Sequence, residues 1–92
     1  METIYKYPLE ITDKQEILML EGAVPLCVDF DGNNQLCLWA NVNDTAGKEK
    51  STIYVLGTGN PMPDVEMEYI GSVRDERTNK KIVFTWHVFI KI

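Results

Sequence analysis

Apolar residues recur at every second position through most of this chain, and turn-forming residues fill almost every gap between the apolar runs. A period of two is typical of strands that bury one face, whereas an amphipathic helix needs a period near 3.6. The pattern therefore predicts a mainly β fold, either a compact antiparallel β-sandwich or a partly open small barrel of about six strands. Six predicted strands fall within segments 3–9, 24–30, 36–42, 52–56, 65–73 and 82–90. Residues 12–20 are ambiguous: Thr12 and Gln15 fit a helix capping box, but the apolar run that follows is short, which favours a turn and a short strand at 16–20.

A β-hairpin is predicted around residues 31–34, because Asp-Gly-Asn-Asn supplies the backbone conformations that a tight turn needs. Trp39 falls on the outer face of the hairpin, where it either packs under a second layer or binds a ligand. Cys27 and Cys37 could face each other across the hairpin, and we expect reduced thiols that pack as small apolar groups. The expected core face consists of Val24, Leu26, Val28, Phe30, Leu36, Leu38, Ala40 and Val42.

Length and charge restrict the class of protein. The 92 residues predict one domain, 1–92, with a single modest core. A net charge of −5 argues against stable binding to nucleic-acid backbones or anionic membranes. No apolar run is long enough to span a bilayer, and the N-terminus lacks the pattern of a signal peptide, so we expect a cytosolic protein.

The loop Gly57-Thr58-Gly59-Asn60-Pro61 interrupts the β pattern. Two glycines one residue apart allow backbone N–H groups to converge on a phosphate or carboxylate, and Thr58 and Asn60 could add side-chain hydrogen bonds. The loop lacks the third glycine and the helix of a dinucleotide fingerprint, and the Lys-Ser/Thr pair of a P-loop. The alternative is a strand-ending turn that needs a positive φ.

His87 is the only histidine, and it lies on the last predicted strand beside Trp86. A Ser–His–acid triad is not predicted, since neither Ser51 nor Ser72 lies in a nucleophile-elbow sequence. Cys27 and Cys37 lie on a hairpin rather than at a helix N-terminus that would activate a thiol. We therefore predict no enzymatic activity, no cofactor and no metal site.

Aromatic and charged residues give further candidates for binding. Seven aromatic residues could stack on a base, although such rings more often fill the cores of small β domains. They are Tyr5, Tyr7, Trp39, Tyr54, Tyr69, Trp86 and Phe89, with Trp39 or Trp86 as the stacking wall of the predicted site. Phosphates nearby could be neutralised by Arg74, Arg77, Lys80 and Lys81. The densest acidic stretch could engage a basic protein or form a solvated edge, and it comprises Asp64, Glu66, Glu68, Asp75 and Glu76.

Five blocks of sequence together resemble an uncharacterised family of short proteins found mainly in bacteriophage genomes. They are Ile4-Tyr5-Lys6-Tyr7-Pro8-Leu9-Glu10-Ile11, Leu38-Trp39-Ala40, Gly57-Thr58-Gly59, Tyr69-Ile70-Gly71 and Trp86-His87-Val88-Phe89. The resemblance covers nearly the whole chain and implies a phage context, but it transfers no mechanism.

The residues and the resemblance lead to one leading prediction of function. We expect a non-enzymatic phage accessory protein that acts in the cytoplasm of the infected host and sequesters a small, nucleotide-like host ligand. The predicted ligand-binding residues are Gly57, Thr58, Gly59, Asn60, Trp39, Trp86 and His87. The alternatives are an acidic inhibitor of a host defence protein and a phage structural or assembly protein. Exposed sheet edges would also favour a homo-oligomer.

Overall fold

The structure, a computed structural model, describes residues 1–79 and 81–92, and for residues 78 and 79 it describes the backbone only. Seven strands form within this part of the chain, at the places where apolar residues alternate. They are β1 (Glu2–Pro8), β2 (Gln15–Leu20), β3 (Val24–Phe30), β4 (Leu36–Asn43), β5 (Lys48–Gly57), β6 (Met67–Asn79) and β7 (Ile82–Lys91).

The strands form two antiparallel sheets that pack face to face. The three-stranded sheet has the order β1-β4-β3, and the four-stranded sheet has the order β2-β5-β7-β6. The predicted antiparallel sandwich is therefore confirmed, and the alternative of a barrel is not. Seven strands form rather than about six, with Gln15–Leu20 paired to β5 along its whole length.

The core lies between the sheets and consists of side chains from the inner face of each. Leu38, Ala40, Ile53 and Val88 have no exposed surface. Complete burial of one such valine or leucine side chain stabilises a fold by roughly 1.5–3 kcal/mol. The predicted core face of β4 is confirmed, because Leu36 and Val42 are also buried.

The predicted core face of β3 is wrong in its first half. A β-bulge lies between Pro25 and Cys27, and the extra residue disrupts the alternation. Val24 and Leu26 are consequently 57% and 49% exposed, whereas Val28 is buried. Only the second half of β3 therefore contributes to the core.

The two cysteines do not face each other. Across the β3–β4 ladder Cys27 lies opposite Trp39, and Cys37 lies opposite Asp29. Both thiols are free, with Cys27 exposed and Cys37 buried. Burial, together with the nearby charge of Asp31, raises the pKa of the Cys37 thiol.

Close contact between the sheets depends on Gly71 in β6. A Cβ atom at this position would lie 3.1 Å from Cγ2 of Val28 on β3. Val28 is buried and β-branched, so its side chain has little freedom to move aside. The absence of a side chain at Gly71 therefore allows β3 to pack over β6.

We expect Gly71→Ala to lower the free energy of unfolding by about 1 kcal/mol and Gly71→Val to lower it by up to about 3 kcal/mol, because the added atoms overpack the contact with Val28. Gly32→Ala is the matched control, since no atom lies within 4 Å of its Cβ position. We expect that control to change stability by less than about 0.5 kcal/mol. Urea denaturation measures all three, and equal effects at both glycines would contradict the packing argument.

Candidate functional site

The outer face of the four-stranded sheet carries the candidate site. Along β7, Val88 points into the core, so alternation places His87 and Phe89 on the outer face. Leu56 lies opposite His87 on β5, and Ser72 lies opposite it on β6. These three neighbouring strands therefore bring side chains from distant parts of the sequence together.

A β-bulge in β6 determines which of its residues join this face. Tyr69 pairs with Phe89, and Gly71 pairs with the next residue of β7, Val88, so Ile70 is the extra residue. In a regular strand, side chains three residues apart point to opposite faces. The bulge places Tyr69 and Ser72 on the same outer face.

Four side chains on this face form a continuous hydrogen-bonded chain. Tyr69 Oη lies 2.6 Å from Ser72 Oγ, and Ser72 Oγ lies 2.7 Å from His87 Nδ1. His87 Nε2 lies 2.8 Å from Thr58 Oγ1. The three hydroxyl groups are on exposed residues and the imidazole is half-buried, so the chain is accessible to a ligand.

The loop after β5 positions Thr58. The Asn60 N–H donates to the Gly57 carbonyl at 3.0 Å, and Gly59 has φ of +93°, which are the features of a type II turn. The Thr58 N–H donates to the carbonyl of Thr85 at 3.3 Å. Because two N–H groups of the loop bond to protein carbonyls, its contribution to the site is the Thr58 hydroxyl rather than the predicted cradle of N–H groups.

Gly57 has a packing role. A Cβ atom there would lie 3.2 Å from Cζ3 of Trp86, its partner across the β5–β7 ladder. Trp86 packs against the core, on the face of β7 opposite to His87. Two of the predicted ligand-binding residues, Trp86 and His87, are therefore neighbours in sequence that point in opposite directions.

A groove adjoins the hydrogen-bonded chain on the outer face. It has a volume of about 430 Å³, with a floor formed by Tyr54 and Leu56 and a wall formed by residues 60–63. Asp13 and Lys14 lie at its rim. Tyr54 and Leu56 are only 5% and 4% exposed although they lie on the outer face.

Trp39 lies far from this site in the fold. It alternates with the core residues Leu38 and Ala40, so it points outward from the three-stranded sheet. There it lines a separate, open groove with Ile4 and Leu26. The structure thus brings Thr58 and His87 together beside Gly57, Gly59 and Asn60, and it places Trp39 and Trp86 elsewhere.

Sequence reasoning named Tyr69 and Phe89 as rings that could stack on a base but did not place them on this face, and it did not identify Ser72 as a site residue. The rings of Tyr69 and Phe89 lie 5.4 Å apart with an interplanar angle of 57°. A glycine inside a strand often marks a bulge, so Gly71 was the signal that could have indicated the change of face. The partner of Ser72 depends on strand pairing, which no local pattern specifies.

The acidic stretch does not form one surface. Asp64, Glu66 and Glu68 are exposed, whereas Asp75 is 3% exposed. Glu76 lies 3.4 Å from the guanidinium group of Arg74. The contribution expected of Asp75 to a docking surface is therefore wrong, because its carboxylate is buried and bonded.

Asp75 joins the two sheets through Arg77. The Arg77 Nε and Nη2 groups donate to the two Asp75 oxygens, both at 2.9 Å, and Trp86 Nε1 donates to Oδ2 at 3.0 Å. Arg77 also donates to the carbonyl of Asn34 at 3.0 Å and lies 4.6 Å from the centre of the Phe30 ring. The hydrogen bonds from Arg77 hold the pKa of the Asp75 carboxyl well below its usual range.

The predicted basic residues are separated. Arg77 is engaged in this network, whereas Arg74 alternates with Ser72 and points to the outer face beside the hydrogen-bonded chain. Lys81 is exposed, and Lys80 lies outside the described residues. Of the four, Arg74 is the cation best placed for a ligand on the outer face.

No group of three or more His, Cys, Asp or Glu side chains in residues 1–79 and 81–92 is arranged to hold a metal ion. The same part of the chain contains no helix that could cross a membrane.

The chain belongs to a family described as a domain of unknown function (DUF7352), which matches residues 1–92. No curated protein and no solved structure matches the chain significantly.

We expect Asp75→Asn to lower the free energy of unfolding at pH 7 by about 2 kcal/mol, because it removes charge-assisted hydrogen bonds. The depressed pKa of Asp75 in the folded state adds stability above the unfolded value of about 4, and this stability is lost as the pH falls below it. The natural protein should therefore lose more stability than Asp75→Asn between about pH 5 and pH 2.

Denaturant titrations at several pH values make this comparison. Asp64→Asn is the control, because it removes a carboxylate that is exposed at the surface. Parallel pH profiles for the natural protein and Asp75→Asn would contradict the assigned role of the buried carboxylate.

Proposed function

We propose that this domain is a non-enzymatic binding protein that holds a small, nucleotide-like ligand on the outer face of the four-stranded sheet. The observation that carries the proposal is the hydrogen-bonded chain of Tyr69, Ser72, His87 and Thr58 on an accessible surface. Together with the adjoining groove, it offers polar and apolar surfaces side by side.

Stability of the fold does not explain this chain well. Tyr69 is 59% exposed and Thr58 is exposed, so their polar groups could bond to water at little cost. Ordering exposed side chains lowers their conformational entropy, and a typical hydrogen bond contributes only about 1 kcal/mol net. Binding of a ligand to this preorganised set of polar groups explains why the exposed side chains are ordered.

The surroundings favour a ligand with a flat apolar part and an anionic part. Tyr69 and Phe89 offer aromatic surface on which a base can stack. The Thr58 hydroxyl, bonded to His87, can donate to a phosphate oxygen, and Arg74 adds a nearby positive charge. The groove of about 430 Å³ falls within the range of about 300–1,000 Å³ typical of small-molecule sites.

The bonding of His87 supports binding rather than catalysis. A Ser–His–acid triad needs a carboxylate on the ring nitrogen that faces away from the serine. Here that position, Nε2, faces the hydroxyl of Thr58. Within the described residues, His87 is thus held between two hydroxyl groups.

The biological setting of the proposal comes from the resemblance to short bacteriophage proteins. In this setting the proposed role is counter-defence: the protein sequesters a host nucleotide in the cytoplasm of the infected cell. Homo-oligomerisation through exposed strands at the sheet edges belongs to the same proposal, since β1, β2, β3 and β6 each pair on one side only.

We expect Thr58→Val to weaken binding of adenosine 5′-monophosphate about tenfold, because valine keeps the shape of threonine but removes a donor to the phosphate. Thr52→Val is the matched control, because it makes the same change on the outer face of β5 and outside the groove. NMR titration of labelled protein measures both affinities and shows whether Tyr69, Ser72 and His87 respond.

Equal affinity in a folded Thr58→Val protein would contradict the assigned site. A lack of response on the outer face to this nucleotide would contradict the proposed function. Capture of a host polypeptide that is lost when Glu66 and Glu68 are changed to lysine would instead favour the acidic inhibitor.

A further inference from the structure

The geometry points to proton-coupled binding: we propose that His87 takes up a proton when the phosphate of the ligand binds to the chain of Thr58, His87, Ser72 and Tyr69. This inference rests on the proposed function and specifies the ionic state in which the site recognises its ligand. It follows from the number of protons that the chain can hold.

The chain contains three hydrogen bonds, and each of them uses one proton. With a neutral imidazole, the three hydroxyl groups and the ring supply four protons, so one remains to donate outward. With a protonated imidazole the chain holds five protons, so two remain to donate outward. Protonation of His87 therefore adds both a positive charge and a second outward donor, and both favour an anion.

The same count limits where the outward donors lie. A protonated His87 donates from both ring nitrogens, so Thr58 and Ser72 accept from the ring. Thr58 then directs its own proton outward, and the second free proton belongs to Ser72 or Tyr69. The protonated chain thus presents a donor on each side of the imidazole.

The charged neighbours of His87 support this assignment. On β6, Arg74 points to the same face as Ser72, and Glu76 is paired with it at 3.4 Å. On β7, Lys91 lies on the same strand face two residues beyond Phe89. The arginine and lysine carry their charge throughout the neutral range, so they attract an anion at any pH in that range.

The other elements packed around His87 contribute little charge. On β5 its neighbours are the uncharged residues Leu56 and Tyr54. The loop contributes Thr58 and Asn60, and the rim of the groove carries one charge of each sign, Asp13 and Lys14. Of the residue types that face the site, histidine is the one that can change between a neutral and a protonated ring when a ligand binds.

The test is an NMR pH titration of the His87 ring with and without adenosine 5′-monophosphate. His87 is the only histidine, so its Cε1–H signal needs no assignment. We expect the titration midpoint to rise by about one pH unit in the complex, which corresponds to about tenfold tighter binding by the protonated form. Adenosine, which lacks the phosphate, should leave the midpoint within a few tenths of a unit.

A second measurement separates protons of His87 from those of the probe. Calorimetry at pH 7.5 in buffers of different ionisation enthalpy gives the number of protons taken up, and we expect it to be larger for the natural protein than for His87→Gln. Should that variant fail to fold or to bind, the ring titration of the natural protein decides alone.

The outcomes distinguish the inference from the function on which it rests. An unchanged or lowered midpoint, with nucleotide-dependent shifts at Thr58 and Tyr69, would overturn proton coupling and leave the binding function standing. An equal rise in midpoint with adenosine would also overturn it, because the phosphate would not be the cause. A protein that does not respond to the nucleotide would overturn both.

Discussion

The bulge at Ile70 is the constraint on which the site depends. It changes the alternation of β6, so that Gly71 and Val73 point into the sandwich while Tyr69 and Ser72 share the outer face. Gly71 then faces Val28 of β3, where a side chain would meet the opposite sheet. One irregularity therefore provides both the close packing of the sheets and the alignment of the hydrogen-bonded chain.

Strand β7 separates the buried Asp75 network from the candidate site. On its inner side, Trp86 donates to the buried carboxylate of Asp75, and Arg77 extends that network to the β3–β4 turn. On its outer side, His87 bonds to side chains that are exposed. Because the two sets lie on opposite faces of one strand, changes in ligand contact on the outer face need not disturb the packing that holds the sheets together.

The period of two was sufficient to predict the class of fold and the inner face of β4. The chemistry of the side chains, rather than the periodicity, led to Thr58 and His87 as members of one candidate site, and these two side chains are hydrogen-bonded. The period of two failed at Leu26 on β3 and gave no sign of the bulge at Ile70 on β6, because an alternating pattern does not show where an extra residue interrupts a strand. The partners of Ser72 and Asp75 depend on the pairing of strands and on side chains from distant segments, which local periodicity does not encode.

The glycine loop illustrates the difference between a recognised feature and its role. Sequence reasoning identified it as a place where the backbone departs from β structure, and Gly59 does adopt a positive φ. The N–H groups of Thr58 and Asn60, however, bond to protein carbonyls, and the loop contributes the Thr58 hydroxyl to the hydrogen-bonded chain. Two glycines one residue apart are compatible with a cradle of N–H groups and with a turn. Hydrogen bonds to other parts of the chain determine which of the two the loop forms.

The central claim is that the outer face of the four-stranded sheet holds a small ligand through Thr58 and His87. Native mass spectrometry of the protein recovered from the cells that produce it, beside its Thr58→Val variant, is the measurement that tests this binding. We expect an added mass the size of a nucleotide on the natural protein and a reduced amount of it on the variant. A protein that carries no small ligand, carries a host polypeptide instead, or retains the same ligand equally in both forms would contradict it.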